Sequence, residues 1–457
     1  MEKRGNKTYV LIVATLSSFL TPFMASSANI ALPSIGRELS MNAVTMGWVA
    51  TAYLISAAVF LLPLGRIADI WGRKRLFRLG TALYLLSSLL IAFCHTTLYL
   101  IVLRAWQGLG GAMIFSTGTA MLSSVYPVGQ RGKALGINVA AVYLGLTTGP
   151  VLGGILTEHF GWRSIFLVSA FLCGLILYFT CFKLKGEWAE ARGEMFDLPG
   201  SILYSIAFIT LMYGFSLLPL KWGYGAIACG LMGMGAFLKW ETKVSHPLFD
   251  LNLFTKNTVF ALSNLAALIN YSTTFSVTFI LSLYLQYIKG FSPQAAGLII
   301  ACQPIIQTIF SPLAGALSDK IEPRISTSLG MSITTVSLFL FSFIGIESPL
   351  SYILISLMLL GFAVALFSSP NANAIMSSVE KKYYGVASGM MATMRMTGQM
   401  LSMGLAMLVF SLFLGKAPIM EENFPLFLKS IRFLFSFATV LSFFGIFASL
   451  ARGKLRK

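Results

Sequence analysis

Apolar residues occur in this chain as long blocks separated by short polar stretches. Fourteen blocks predict fourteen helices, at about 9–32, 45–65, 78–95, 98–121, 133–157, 164–182, 198–219, 223–240, 258–287, 294–317, 325–346, 350–372, 386–414 and 431–451. A helix rises 1.5 Å per residue, so about 20 apolar residues cross a hydrocarbon core. The eighth block is short and glycine-rich, and is the weakest of the set. The first block follows Glu2-Lys3-Arg4 and Lys7 as a cleaved leader would, but it is too long for one and is read as a retained first helix.

Composition agrees with that pattern. Of 457 residues, 56% are hydrophobic and 11% charged, where a soluble domain carries about a quarter charged. The mean hydropathy is +0.80. Too little polar surface exists to dissolve such a chain in water, so a soluble multidomain enzyme is excluded and an all-α polytopic membrane protein is expected.

The net charge of +17 raises nucleic acid as a partner, but the location of the charges argues otherwise. With fourteen spans and an inside start, the inner segments hold 24 of the 33 Lys and Arg and the outer loops hold 7. The remaining two, Arg104 and Arg395, lie within spans. That asymmetry obeys the positive-inside rule and places both termini in the cytoplasm. The basic excess therefore reports topology, and no nucleic acid is expected. All sixteen acids fall in loops or near span ends. Five scattered Cys and three distant His show no metal-ligand spacing, so neither metal nor cofactor is expected.

An internal repeat divides the chain. Gly65-Arg66-Ile67-Ala68-Asp69 ends the second block, and Gly315-Ala316-Leu317-Ser318-Asp319 ends the tenth, 250 residues later. Gly132-Lys133-Ala134-Leu135-Gly136 opens the fifth, and Gly385-Val386-Ala387-Ser388-Gly389 opens the thirteenth, 253 residues later. Two related six-helix bundles follow, 1–182 and 258–457. A linker at 183–257 carries two extra transmembrane helices. Related halves about an axis normal to the membrane suit a rocking transporter.

Three segments carry candidate chemistry. The first inner loop reads Gly65-Arg66-Ile67-Ala68-Asp69-Ile70-Trp71-Gly72-Arg73-Lys74-Arg75. Gly72 permits a tight turn, and Asp69 can accept bonds from helix termini or a basic residue. A polar latch of that kind gates one side of two rocking bundles, with Asp319 at the matching place of the second half. The fourth block holds Arg104, with Gln107 and Gly108 at i+3 and i+4 on the same face. An intramembrane Arg either faces a wet interior or snorkels to the interface. The fifth block places Gly136, Gly145, Gly149, Pro150, Gly153 and Gly154 along one helix. Gly145, Gly149 and Gly153 recur at i, i+4 and i+8, a groove for a neighbouring helix, and Pro150 removes an internal hydrogen bond.

These residues resemble the major facilitator superfamily, on its fourteen-span drug:proton antiporter branch. The Gly65–Arg75 loop resembles the superfamily signature. Arg104-Ala105-Trp106-Gln107-Gly108 resembles the fourth-span motif linked to proton transfer, and Gly136 to Gly154 resembles the antiporter motif of exporters. The resemblance implies a multidrug-type exporter in the cell membrane, acting as a monomer on small molecules in exchange for protons. One departure stands out. That branch usually carries an acid several residues before Asn-x-Ala-Leu-Pro, and here Met24 precedes Asn29-Ile30-Ala31-Leu32-Pro33.

The chain thus presents two intramembrane cations and no central anion. Arg395 lies ten residues into its block, about 15 Å deep. It reads either as a structural cation satisfied by carbonyls and amides, or as a site for an anionic or strongly polar substrate group. Asn29, Tyr53, Gln107, Asn270, Tyr271 and Asn371 are candidate polar lining of one cavity shared with Arg104. Glu158, beyond Gly154, is the candidate titrating acid, on the expectation that partial burial raises its pKa; the alternative is an exposed loop acid. Two functions follow: an exporter of hydrophobic or amphipathic compounds by alternating access, or an uncoupled facilitator or exchanger of anionic metabolites through Arg104 and Arg395. An enzyme would need a nucleophile, metal cluster or carboxylate pair near one interface, and the chain offers none.

Overall fold

The computed structural model describes residues 2–453, apart from 127, 219, 245–253, 256, 380–383, 416 and 418. These form fourteen helices. The first six are α1 Glu2–Glu38, α2 Ala43–Trp71, α3 Arg73–Ala92, α4 Thr97–Val125, α5 Val128–Phe160 and α6 Arg163–Tyr178. Two follow as a hairpin, α7 Leu198–Leu217 and α8 Lys221–Glu241. The next, α9, spans Thr258–Ile288, breaking at Phe275 and ending in a wide turn, Tyr284–Ile288. The last five are α10 Pro293–Lys320, α11 Pro323–Phe341, α12 Leu350–Ser377, α13 Tyr384–Phe413 and α14 Phe424–Ala451.

Polar side chains in the connections start the helices. Asn42 accepts from Thr45 N at 2.8 Å and Asn257 from Phe260 N at 3.0 Å, each satisfying an orphan amide of a first turn. Thirteen helices are long and apolar enough to cross a membrane. The exception is α8, the block marked weakest by its sequence. It leans on α7 through glycines: a Cβ on Gly230 would sit 2.6 Å from the Leu211 Cα. Its 21 residues reach about 30 Å, enough to cross beside its partner.

Packing repeats with a shift of eight helices. In the first bundle α1 packs on α5, α2 on α4, and α3 on α4 and α6. In the second α9 packs on α13, α10 on α12, and α11 on α12 and α14. The weak sequence repeat is thus a repeat of neighbours. The bundles meet as α5 with α10, α2 with α13 and α1 with α9. The α7–α8 hairpin lies along the α2–α13 seam, where Tyr204 Oη donates to Ala58 O at 3.3 Å and Phe215 faces Gly404.

The start of α1 and the end of α14 lie on one face, here the terminal face; the other is the far face. On the terminal face Arg452, 1% exposed, donates to Asn371 Oδ1 at 2.9 Å and Ser263 Oγ at 3.1 Å. Burial lowers its pKa to about 10. It ties α9, α12 and α14 together, a role hidden in a sequence where it counts as one more basic residue of the chain end.

Candidate transport pathway

The bundles are bonded on one side of the membrane. Between α1 and α9, Ser282 Oγ donates to Asn29 O at 2.9 Å, Gln286 Nε2 to Ile30 O at 3.0 Å and Tyr287 Oη to Pro33 O at 3.2 Å. Arg37 returns a bond to Gln286 O at 3.3 Å. Between α5 and α10, Gln294 N donates to Glu158 Oε2 at 3.0 Å. Halfway down the same seam Thr147 and Thr308 hydroxyls meet at 3.3 Å. The bonds from Asn29–Ser282 to Thr147–Thr308 all lie between mid-membrane and the far face. These bonds close the far half.

Glycines set this closure. A Cβ on Gly154 would sit 2.6 Å from Pro293 O of α10, and one on Gly297 would overlap Pro150 O. Gly145, Gly149 and Gly153 face elsewhere. Their added Cβ atoms would strike α1 of the same bundle, that of Gly149 at 2.6 Å from the Ser26 Cβ and that of Gly153 at 2.7 Å from the Ser27 Cα. Ser27 Oγ also donates to Gly149 O at 2.8 Å. The glycine run thus does two jobs: one face builds the first bundle, and Pro150 with Gly154 touches the second. Gly136 lies in α5, but its surroundings lie outside the described residues.

The two intramembrane arginines part company. Arg104 is 2% exposed. Its Nε donates to Val49 O at 3.0 Å, a terminal nitrogen bonds Gln107 Oε1, and its carbon stands 4.7 Å over the Tyr53 ring. Gln107 Nε2 passes the chain on to Ser88 Oγ at 2.8 Å. Arg104 and Gln107 therefore bond into α2, α3 and α4, with Tyr53 stacked on the guanidinium and its Oη left without a partner among the described residues, rather than forming one wall of a cavity shared with Arg395. Asn29 is buried with its carbonyl in the far-half seam, and Met24 is 1% exposed, in apolar core.

Arg395 differs. It is half-buried, its Nε is shut from solvent without a partner, and no hydrogen bond or ion pair holds it among the described residues. It sits in the terminal half of α13, the helix that packs against α2 of the first bundle. A cleft of about 490 Å³ follows the α5–α10 seam, lined by Thr15, Ala141, Leu144, Thr147, Ile305 and Thr308. That volume is in the range of small-molecule sites. Asn270 and Asn371 are buried within the second bundle. Glu158 is exposed at its helix end and caps α10 across the seam, so the expected burial is absent; an anion there suits the positive end of a helix.

The signature loop is bonded within its own half. Arg73 holds Asp69 at 2.7 Å, Ser124 Oγ at 2.6 Å and Glu190 at 2.8 Å. The segment after α6 straps this loop down: Glu187 accepts from Lys74 N at 2.8 Å, Glu194 pairs with Arg66, and Ala191 N donates to Asp69 O at 3.0 Å. Gly72 has a φ of +126°, and a Cβ there would sit 2.6 Å from the Glu187 carboxyl carbon; Gly65 has no such constraint. The Asp319 side chain lies outside the described residues. Glu187, Glu190 and Glu194 were legible only as acids at i, i+3 and i+7 behind a basic loop. Arg73→Ala is expected to free the strap, read as faster amide exchange over 184–194; unchanged protection would assign the strap to Trp188 packing instead.

Comparison with known proteins fits this architecture. The model of the Major Facilitator Superfamily matches residues 14–239 and 263–456. The chain belongs to the Major Facilitator Superfamily. It is 31% identical over 422 residues to the riboflavin transporter RibZ of Clostridioides difficile strain 630, covering 92% of this chain and 90% of that one. It is 31% identical to the multidrug resistance protein Stp of Mycobacterium tuberculosis strain CDC 1551 / Oshkosh, covering 86% and 74%. It is 30% identical to the cephamycin export protein CmcT of Amycolatopsis lactamdurans, covering 89% and 85%. A crystal structure of a peptide transporter POT mutant with alafosfalin shares the fold across both whole chains, at a TM-score of 0.74 and 14% identity.

Proposed function

We propose that this superfamily member exports small hydrophobic or amphipathic compounds by alternating access, and that the conformation described opens to the cytoplasm. The observation that carries this reading is closure of the far half, bonded from Asn29–Ser282 to Glu158–Gln294. The excess of Lys and Arg on the terminal face supports cytoplasmic ends. Relatives that export antibiotics support the direction, and the apolar α5–α10 cleft suits greasy solutes.

Exchange for protons is the finer proposal. It faces the absence of any acid at mid-membrane. The second reading, an exchanger or facilitator of anionic metabolites, gains from Arg395, whose buried Nε has no partner among the described residues, and loses Arg104, which is satisfied internally. A susceptibility panel in a host lacking its own pumps identifies exported compounds. Efflux of those compounds is then followed with and without a protonophore at fixed membrane potential. Proton antiport predicts at least tenfold slower efflux when the pH gradient is collapsed. Efflux unchanged by that collapse would reject antiport and leave the facilitator.

A further inference from the structure

We propose that the far face of the second bundle carries a binding site for a phospholipid headgroup with a primary ammonium, at the mouth formed by the α11–α12 loop and the start of α14. A cavity of about 620 Å³ lies there, lined by Gly345, Glu347, Ser348, Leu428, Lys429 and Arg432. Its lining comes from the α11–α12 loop and α14 alone, both of the second bundle.

The cationic side chains are the first argument. The far loops hold seven Lys and Arg in the whole chain, yet three of them, Lys289, Lys429 and Arg432, surround this one loop. A chain that depletes positive charge on this face has concentrated what remains. Arg432 Nε is fixed on Ile344 O at 2.7 Å, which leaves its two terminal nitrogens for a bidentate anion. Lys429 stands 5.9 Å from the Phe413 ring centre on the next turn.

The wall is rigid. Gly345 O accepts from Tyr284 Oη at 2.7 Å, Ile346 O accepts from Lys289 Nζ, and Gly345 N donates to Ser348 Oγ at 2.8 Å. Three successive loop carbonyls are therefore occupied, so the loop presents its side chains and not bare acceptors to the cavity. Glu347 lines the same cavity and makes no ion pair among the described residues. Two cations and one acid match a zwitterion: the phosphodiester between Lys429 and Arg432, the ammonium at Glu347. Below the rim Phe343, Ile346, Leu426 and Phe433 are about half exposed at the depth where acyl chains begin, a surface hydrocarbon would cover. Basic pockets between transmembrane helices bind anionic headgroups on the cytoplasmic side; here Glu347 beside the two cations adapts such a pocket to a zwitterion on the far face.

The test uses the full chain in nanodiscs and native mass spectrometry of retained lipid. Phosphatidylethanolamine, phosphatidylglycerol and phosphatidylcholine are compared at equal fraction. Wild type is expected to retain phosphatidylethanolamine about tenfold over phosphatidylcholine. Lys429→Gln with Arg432→Gln should abolish retention of each lipid, with the melting profile as the check on folding. Glu347→Gln should erase the preference for ethanolamine and raise phosphatidylglycerol. Inorganic phosphate at millimolar concentration should not displace the lipid; displacement would show a free-phosphate site and overturn the lipid assignment. Stronger retention of phosphatidylglycerol by wild type would overturn the role of Glu347. Equal retention of all three, untouched by the double substitution in a folded protein, would overturn the site.

Discussion

Gly154→Leu is expected to leave the protein folded and to cut transport at least tenfold. At this position the added side chain meets Pro293 O at 2.6 Å and the Gln294 Cα at 2.8 Å, both backbone of the other bundle. Backbone at a helix start cannot swing aside as a flexible side chain would, so the bundles must separate. Overpacking inside a core costs about 1–3 kcal/mol; here the seam can open to relieve it, at the expense of the far-closed state. The reporter is Ser282→Cys in a background without Cys94, Cys173, Cys181, Cys229 and Cys302. Ser282 is fully buried in the described state. A membrane-impermeant maleimide added at the far face should label it much faster when Gly154→Leu is present. Gly149→Leu should behave otherwise. Its side chain strikes α1 within one bundle, so folded yield falls before transport can be measured. Normal transport by Gly154→Leu, with no gain in labelling, would remove the seam as the site of closure.

The spacing of the glycines was legible, but their division of labour was not. A repeat at i and i+4 says that a helix comes close; it does not say which helix, because any smooth face suits any neighbour. The fold was plain for a different reason. Hydrocarbon forces every backbone group into a helix, so block lengths alone nearly determine the elements, and α8 was weak in the sequence for the same glycines that bring it against α7. The arginines mark the limit. Arg104 and Arg395 look alike in a string of letters, since both are cations in apolar blocks. Their difference lies in Val49 and Tyr53, which hold Arg104, and in Ser88, which holds its partner Gln107; all three come from other helices, and none of them meets Arg395. Likewise nothing local to Glu158 announces that α10 begins against it. The strap of Glu187, Glu190 and Glu194 was hidden because it sits in a linker whose path follows from tertiary contacts.

That contrast between the arginines yields opposite outcomes for one kind of substitution. Arg104→Ala removes a guanidinium bonded to Val49 O and Gln107 and stacked over Tyr53, and leaves those groups facing a hole. A hydrogen bond to a charged group contributes about 1.5–3 kcal/mol, so a clear fall in thermal stability is expected. Arg395→Gln removes a cation with no bond to lose. An unpaired charge in low dielectric is a cost to the resting fold, so melting should hold or rise. Its effect falls on cargo instead. A substrate anion paired with Arg395 in a partly dry cavity loses a charge-assisted contact, and about 1.4 kcal/mol is tenfold in affinity. Uptake into inside-out vesicles of a compound and its uncharged amide separates the effects. Arg395→Gln should depress the anion at least tenfold and the amide little. The pH dependence should follow the cargo: transport of a weak acid should rise as pH climbs through that acid's own pKa. Equal losses for anion and amide, together with a lower melting temperature, would make Arg395 a structural cation like Arg104.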